Sequence, residues 1–214
     1  MVSIAAESIT KNYRIAGEIK TVVESFQQEF HPGKIYCFYG ESGSGKSTIL
    51  KMLGLLSQPT SGRVLFEGKE MTTDQDKSIF LQKNIGWVLQ SNNLIDSLSV
   101  EDNIRVGVPY VLEDGKILEN LKKFRLENSV HKKASFLSGG EAQRVAFIRA
   151  IIKDPKILIL DEFTSGLDEE SEDILMSTLK EITYNRNIIT LIASHSPRVK
   201  AISDYLIKVD SHAS

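Results

Sequence analysis

Three groups of residues in this chain have the types and spacing to do chemistry. Gly40-Glu41-Ser42-Gly43-Ser44-Gly45-Lys46-Ser47, followed by Thr48, fits the pattern G-x-x-x-x-G-K-[ST]. Its glycines let the backbone curl so that successive N–H groups face phosphate oxygens. A helix starting at Lys46 would add its partly positive end. Lys46 supplies a compact charge for the terminal phosphates, and the Ser47 hydroxyl suits a Mg²⁺ coordination position. Downstream, Ile157-Leu158-Ile159-Leu160 runs directly into Asp161 and Glu162. A strand that apolar is buried on both faces, so two carboxylates at its tip are costly unless a cation or a proton transfer employs them. Asp161 is then expected to partner the metal, directly or through water, and Glu162 to orient and deprotonate an attacking water. Between these groups stands Leu137-Ser138-Gly139-Gly140-Glu141. The phosphate pattern arises by chance in roughly one chain in a hundred and the pentad in fewer than about one in a thousand, so their succession in one chain is not accidental.

The composition sets the frame. At 214 residues the chain is long enough for one substantial core. Its 26 Lys and Arg against 28 Asp and Glu leave a net charge of -2, which gives no electrostatic footprint for nucleic acid or an anionic membrane. Its longest apolar runs fall well short of the roughly 18 residues that span a bilayer. Residues 1–11 lack the layout of a signal peptide, so a cytosolic protein is expected. Cys37, the single cysteine, lies in an apolar run and is expected in the core.

The elements that must hold the chemistry follow from periodicity. Residues 3–10 and 21–30 read as strands that tether the N-terminus to a sheet edge. Pro32-Gly33 turns the chain into a strand over 34–39, and the glycine loop opens a helix with Ile49, Leu50, Leu53 and Leu56 at helical spacing. Residues 63–66 and 85–89 read as strands, the second ending at Gln90. From 91 to 136 the pattern becomes helical: Ser99 with Asp102 resembles a capping box, and Ile117, Leu118, Leu121 and Phe124 form a stripe. A helix over 138–152, a strand over 157–160, a helix around Ile174, Leu175, Leu179 and Ile182, and a strand over 187–193 then restore the alternation. This predicts an α/β fold with a mainly parallel sheet covered on both faces. Residues 1–90 and 137–214 are expected to form its core and 91–136 a small inserted lobe.

Together the motifs resemble those of the ATP-binding cassette (ABC) ATPases, over a span from Tyr13 to His195. The resemblance implies a P-loop NTPase core with an N-terminal antiparallel β-subdomain and a helical lobe, acting as an ATPase with ATP and Mg²⁺. It implies that Gly40, Glu41, Ser42, Gly43, Ser44, Gly45, Lys46, Ser47 and Thr48 line the nucleotide and that Tyr13 stacks on adenine. Gln90 would touch Mg²⁺ and the attacking water, alongside Ser47 and Asp161 on the metal. His195 would hold the γ-phosphate and Glu162 in register. The loop Ser165-Gly166-Leu167-Asp168 would run along a dimer seam. In this family the pentad closes over a second subunit's ATP, so Ser138, Gly139, Gly140 and Glu141 would meet the nucleotide of a partner cassette, an identical copy or a related one. His31, His131 and His212 match no motif and are expected at the surface.

Departures from the family pattern are small: Phe163 stands where proline is common, Gly166 where alanine is common, and Glu141 where glutamine is common. None removes a catalytic group. The stretch from Gln90 to Asn103 and the run Glu162-Phe163-Thr164-Ser165 are most similar to the macrolide-exporter, lipoprotein-release and antimicrobial-peptide-export members. The chain ends soon after His195, so no C-terminal regulatory domain is expected. The resemblance therefore implies a cytoplasmic subunit, held at the inner face of the cell membrane by a separately encoded membrane subunit and independent of nucleic acid. A cell-division type of signalling ATPase would share every catalytic residue and remains the alternative. A DNA-repair type would insert long coiled coils where this chain has a short lobe.

Overall fold

The structure, a computed structural model, describes residues 2–15, 17–91, 93–108 and 110–210. Nine strands and seven α-helices follow in the order β1 (Ile4–Ile15), β2 (Glu18–Phe30), β3 (Lys34–Tyr39), α1 (Lys46–Leu53), β4 (Ser61–Phe66), β5 (Lys69–Glu70), α2 (Asp74–Asn84), β6 (Ile85–Val88), α3 (Val100–Val106), α4 (Asp114–Lys123), α5 (Gly139–Ile151), β7 (Ile157–Asp161), α6 (Glu169–Asn185), β8 (Ile189–Ala193), α7 (Pro197–Ile202) and β9 (Tyr205–Lys208) among the described residues. His31 and His131 are exposed, as expected. His212 lies outside the described residues.

The centre is a five-stranded sheet in the order β6-β7-β8-β3-β9, every neighbouring pair parallel. Every residue of β7 and of β8 is buried, which is why these segments read as unbroken apolar runs rather than alternating ones. Alternate side chains enter two separate cores. Leu158, Leu160, Ile192, Ile35 and Cys37 face the layer built from α3 to α7. Ile157, Ile159, Ile189, Leu191, Tyr36 and Phe38 face α1 and a second sheet. Each fully buried Leu or Ile stabilises the fold by about 1.5–3 kcal/mol. These strands are therefore rigid supports for what stands at their ends.

The second sheet is the N-terminal antiparallel β-subdomain that the family resemblance implies. β1 and β2 do not join an edge of the parallel sheet; they form an antiparallel sheet in the order β2-β1-β4-β5. The reason lies in their one-sided pattern: Ile4, Ala6, Ile9, Val23 and Phe30 turn inward against Tyr36, Phe38 and Ile49, while the opposite faces carry polar residues. Such strands can cover a core but cannot sit inside a sheet packed on both faces.

In the inserted segment, Ser99 caps α3 by accepting from the Asp102 N–H at 3.0 Å. Asp102 differs from a reciprocal capping box, because its carboxylate accepts from the Ser99 hydroxyl at 2.6 Å and not from the Ser99 backbone. Ile117 and Leu121 of α4 are buried, whereas Leu118 points outward. With Phe124 they pack on α5 through Phe147. α2 carries no buried residue, so no apolar stripe announced it; its start is marked by Thr73, which accepts from the Asp76 N–H.

Candidate active site

The parallel strands all point the same way, so their carboxyl ends form one edge. β3 delivers Gly40 there, β6 delivers Gln90, β7 delivers Asp161 and Glu162, and β8 delivers Ser194 and His195. Clefts at that edge are where open α/β sheets bind ligands. Gly45 caps α1 with φ of 102°, a left-handed conformation that side chains resist. A Cβ on Gly45 would lie 2.7 Å from the Val22 carbonyl oxygen, and one on Gly40 would lie 2.1 Å from that of Val209. The loop is thus clamped between the antiparallel sheet and the end of β9. Gly45→Ala is expected to cost about 1–3 kcal/mol of stability from backbone strain. A lowered melting temperature together with weaker phosphate binding would show it, and an unchanged melt would refute the clamp.

Lys46 is buried, and its ammonium donates to the Gly40 carbonyl at 2.9 Å and to the Glu41 carbonyl at 2.8 Å. Two of its three donors shape the loop, leaving one for a ligand. Ser44 is also buried, and its Oγ has no hydrogen-bond partner. A buried hydroxyl without a partner is costly within the protein alone. Inside a loop of this pattern it fits a phosphate oxygen.

Asp161 accepts from the Ser47 hydroxyl at 2.9 Å. Burial pushes its carboxyl above the ordinary value of 3.8, while Ser47, Lys51 and Lys46 pull it back. A cleft of about 570 Å³ is lined by Ser47, Lys51, Leu89, Gln90, Ser91, Asn93 and Asp161, so it brings together the three residues that the sequence assigned to a metal. Hydroxyl, amide and carboxylate oxygens are the hard donors that Mg²⁺ prefers. No three His, Cys, Asp or Glu side chains converge among the described residues, so an ion here would share its shell with water or phosphate oxygens. Sequence reasoning passed over Lys51; it lies four residues after Ser47 and hence on the same helix face.

Because its pKa is raised on folding, ionised Asp161 destabilises the protein at neutral pH. Asp161→Asn is therefore expected to raise the melting temperature at pH 7, with Mg²⁺-dependent nucleotide binding weakened. The gain should shrink as pH falls through the raised folded value and vanish below the unfolded value. Melts between pH 7 and 3 test this; a variant less stable than the parent at pH 7 would contradict it.

Glu162 adopts φ of 48°, and its N–H donates to the Ala193 carbonyl at 2.9 Å. Such a conformation is strained for a side-chain-bearing residue and turns the carboxylate off the strand axis. Burial raises its pKa above 4.5, and His195 and Lys46 oppose that shift. His195 Nε2 stands 3.5 Å from Glu162 Oε1, with half of the His195 side chain open to solvent. A carboxylate with proton affinity raised by burial, 3.5 Å from an imidazole, can take a proton from water. Tyr13 sits far out on β1, partly exposed, with the Lys11 ammonium 5.4 Å from its ring centroid. It belongs to the hairpin whose Val22 backs Gly45.

The pentad forms a separate group. Ser138 caps α5, its Oγ accepting from the Glu141 N–H at 3.2 Å while the Glu141 carboxylate accepts from the Ser138 N–H at 2.7 Å. Nothing approaches the Cβ position of Gly139 within 4 Å. The Glu141 carboxylate is turned back into the cap and held below its ordinary 4.5, chiefly by the Ser138 N–H. Asp168 caps α6, giving one oxygen to the Ser171 N–H and the other to the Ser171 hydroxyl. Among the described residues, no hydrogen bond or ion pair joins 137–141 or Asp168 to the loop over 40–48. Tyr13 aside, the structure thus brings the sequence-assigned residues together in two groups.

A phosphate loop opening a helix beside paired carboxylates, at the carboxyl edge of a parallel sheet, defines a P-loop nucleotide-binding domain. A family model described as "ABC transporter" matches residues 23–165. The chain is 37% identical over 201 residues to the lipoprotein-releasing system ATP-binding protein LolD of Buchnera aphidicola subsp. Schizaphis graminum, covering 89% of this chain and 86% of that protein. It is 35% identical over 208 residues to the methionine import ATP-binding protein MetN 2 of Yersinia pestis bv. Antiqua, covering 94% of this chain and 63% of that protein. It therefore spans less than two thirds of the methionine-import relatives. Among solved structures, the dimeric form of MJ0796, a bacterial ABC transporter cassette, matches with a TM-score of 0.91 at 28% identity, covering 97% of this chain and 94% of that one. A post-hydrolysis state of the same cassette, a dimer bound to ADP and Pi, matches with a TM-score of 0.90 at 27% identity, covering 98% and 97%. The chain belongs to the ABC transporter family.

Proposed function

We propose that this chain is the ATP-hydrolysing subunit of an ABC transporter, a single nucleotide-binding domain whose segment 91–136 is the helical lobe. Two copies, or this chain and a related cassette, pair head to tail around two ATPs and drive a separate membrane subunit. The observation that carries this reading is the division of the site: the chain holds two helix N-termini suited to phosphate, at Gly45-Lys46 and at Ser138-Gly139, with no bond between them among the described residues. A second copy supplies the missing half of each site by symmetry. The dimeric state of the MJ0796 cassette supports it.

The chemistry follows from the side chains. Lys46 and the loop amides bind the β- and γ-phosphates. Ser47, Gln90 and Asp161 would hold Mg²⁺, which would neutralise phosphate charge. Glu162 takes a proton from the attacking water while His195 keeps the carboxylate and the γ-phosphate aligned. Ser138 turns its hydroxyl toward the partner's nucleotide, so hydrolysis loosens the pair. No helix among the described residues is long and apolar enough to cross a membrane, in keeping with a membrane subunit on another chain and with a peripheral place on the cytoplasmic face. An export role is favoured by the stretch following Gln90 and by the run Glu162-Phe163-Thr164-Ser165.

Ser138→Arg tests the shared site. The parent's turnover per chain should rise with protein concentration, whereas the variant's should stay low and flat with ATP binding to the single chain retained. Turnover that is independent of concentration, or untouched by Ser138→Arg, would overturn the reading.

A further inference from the structure

We propose that Arg144 and Ser171 are positioning residues that lock the Ser138–Glu141 segment and the Leu167-Asp168 loop into one rigid unit at the dimer seam. The proposal rests on the shared-site reading above. Arg144 lies four residues after Gly140 on α5, hence on the same helix face. Its Nη1 donates to the Ser171 Oγ. The buried Ser171 hydroxyl donates in turn to Asp168 Oδ2 at 2.7 Å, and the Ser171 N–H donates to Asp168 Oδ1 at 2.8 Å. The result is a cation–hydroxyl–carboxylate chain in which each bond polarises the next. It ends beside Gly140: a Cβ there would lie 3.6 Å from Leu167 Cδ2, 3.7 Å from Arg144 Nη1 and 4.0 Å from Asp168 Oδ2.

Two parts of this arrangement exceed what an ordinary helix cap needs. Ser171 alone satisfies both Asp168 oxygens, so α6 would be capped without Arg144. Arg144 nevertheless buries its Nε, which finds no partner, a cost that reaching Ser171 must offset. The geometry joins α5 to α6 at the point where both open toward solvent. Without the link, the pentad and the Asp168 loop would sample their positions independently, and a partner's nucleotide would have to order both.

The test measures dimer formation and single-chain binding separately. In a Glu162→Gln background, Arg144→Met, Arg144→Lys, Ser171→Ala and the Arg144→Met/Ser171→Ala pair are compared by sedimentation in Mg²⁺-ATP. A fluorescent ATP analogue at low protein concentration reports single-chain binding, and thermal melts report the fold. Losing a hydrogen bond to a charged group costs about 10- to 100-fold in an equilibrium constant. Arg144→Met and Ser171→Ala should each weaken the dimer at least about tenfold, with single-chain binding unchanged. Arg144→Lys should recover part of the loss, and the double variant should be no worse than the poorer single one, because both cut the same link. Dimer affinity within about twofold of the parent in Arg144→Met, additive losses in the double variant, or losses that merely track a lowered melting temperature would overturn the proposal. If the Glu162→Gln parent itself stays monomeric in ATP, the shared-site reading falls first and this one with it.

Discussion

Replacing Lys46 with alanine is expected to weaken ATP binding by roughly 100-fold, the upper range for a charge-assisted hydrogen bond. Two effects add. The phosphates lose the compact charge that opens α1, and the loop loses the donor that ties the Gly40 and Glu41 carbonyls together at 2.9 and 2.8 Å. Those carbonyls would then be free to turn toward the phosphates and repel them. Calorimetry with Mg²⁺-ATP measures the change, and a thermal melt separates it from global unfolding. Affinity within a few-fold of the parent, in a folded variant, would show that the phosphates are held elsewhere.

Glu162→Gln is expected to lower turnover by about 10²–10⁴-fold with nucleotide binding retained, the usual loss when general-base help is removed. The amide keeps the shape of the side chain and can still accept from the His195 backbone N–H. It cannot accept a proton from water. The charge removed is one that burial already disfavours, so the variant should melt no lower than the parent at pH 7. Multiple-turnover phosphate release is the measurement. A variant hydrolysing at the parent rate would take Glu162 out of the base role.

The sequence carried the site further than it carried the fold around it. Asp161 and Glu162 were readable because an unbroken apolar run can only be a strand buried on both faces, and carboxylates at its end demand a use. The loop from Gly40 to Ser47 was readable for a similar reason: its spacing has one physical purpose. The N-terminal strands were legible from alternation, which reveals that a strand has one buried face and not which layer it covers; that they form a separate antiparallel sheet came from the family resemblance. α2 escaped notice because no residue on it is buried, and β9, with Tyr205 and Leu206 half exposed at the edge, has little to separate it from a loop. The cap at Ser138 was legible too, since a glutamate three residues after a helix-capping serine has the Ser138 N–H as a ready partner. The link from Arg144 through Ser171 to Asp168 joins residues 27 positions apart, a distance that no local pattern reports.

The shared site is tested most directly by the mass of Glu162→Gln in solution, followed by sedimentation equilibrium in Mg²⁺-ATP and then in Mg²⁺-ADP. With slow hydrolysis, and with one negative charge fewer facing the γ-phosphates, the ATP sample is expected at twice the chain mass of 23.9 kDa and the ADP sample at the single chain mass. A single chain mass in both nucleotides, at protein concentrations where ATP binding is saturated, would contradict a site completed by a second cassette.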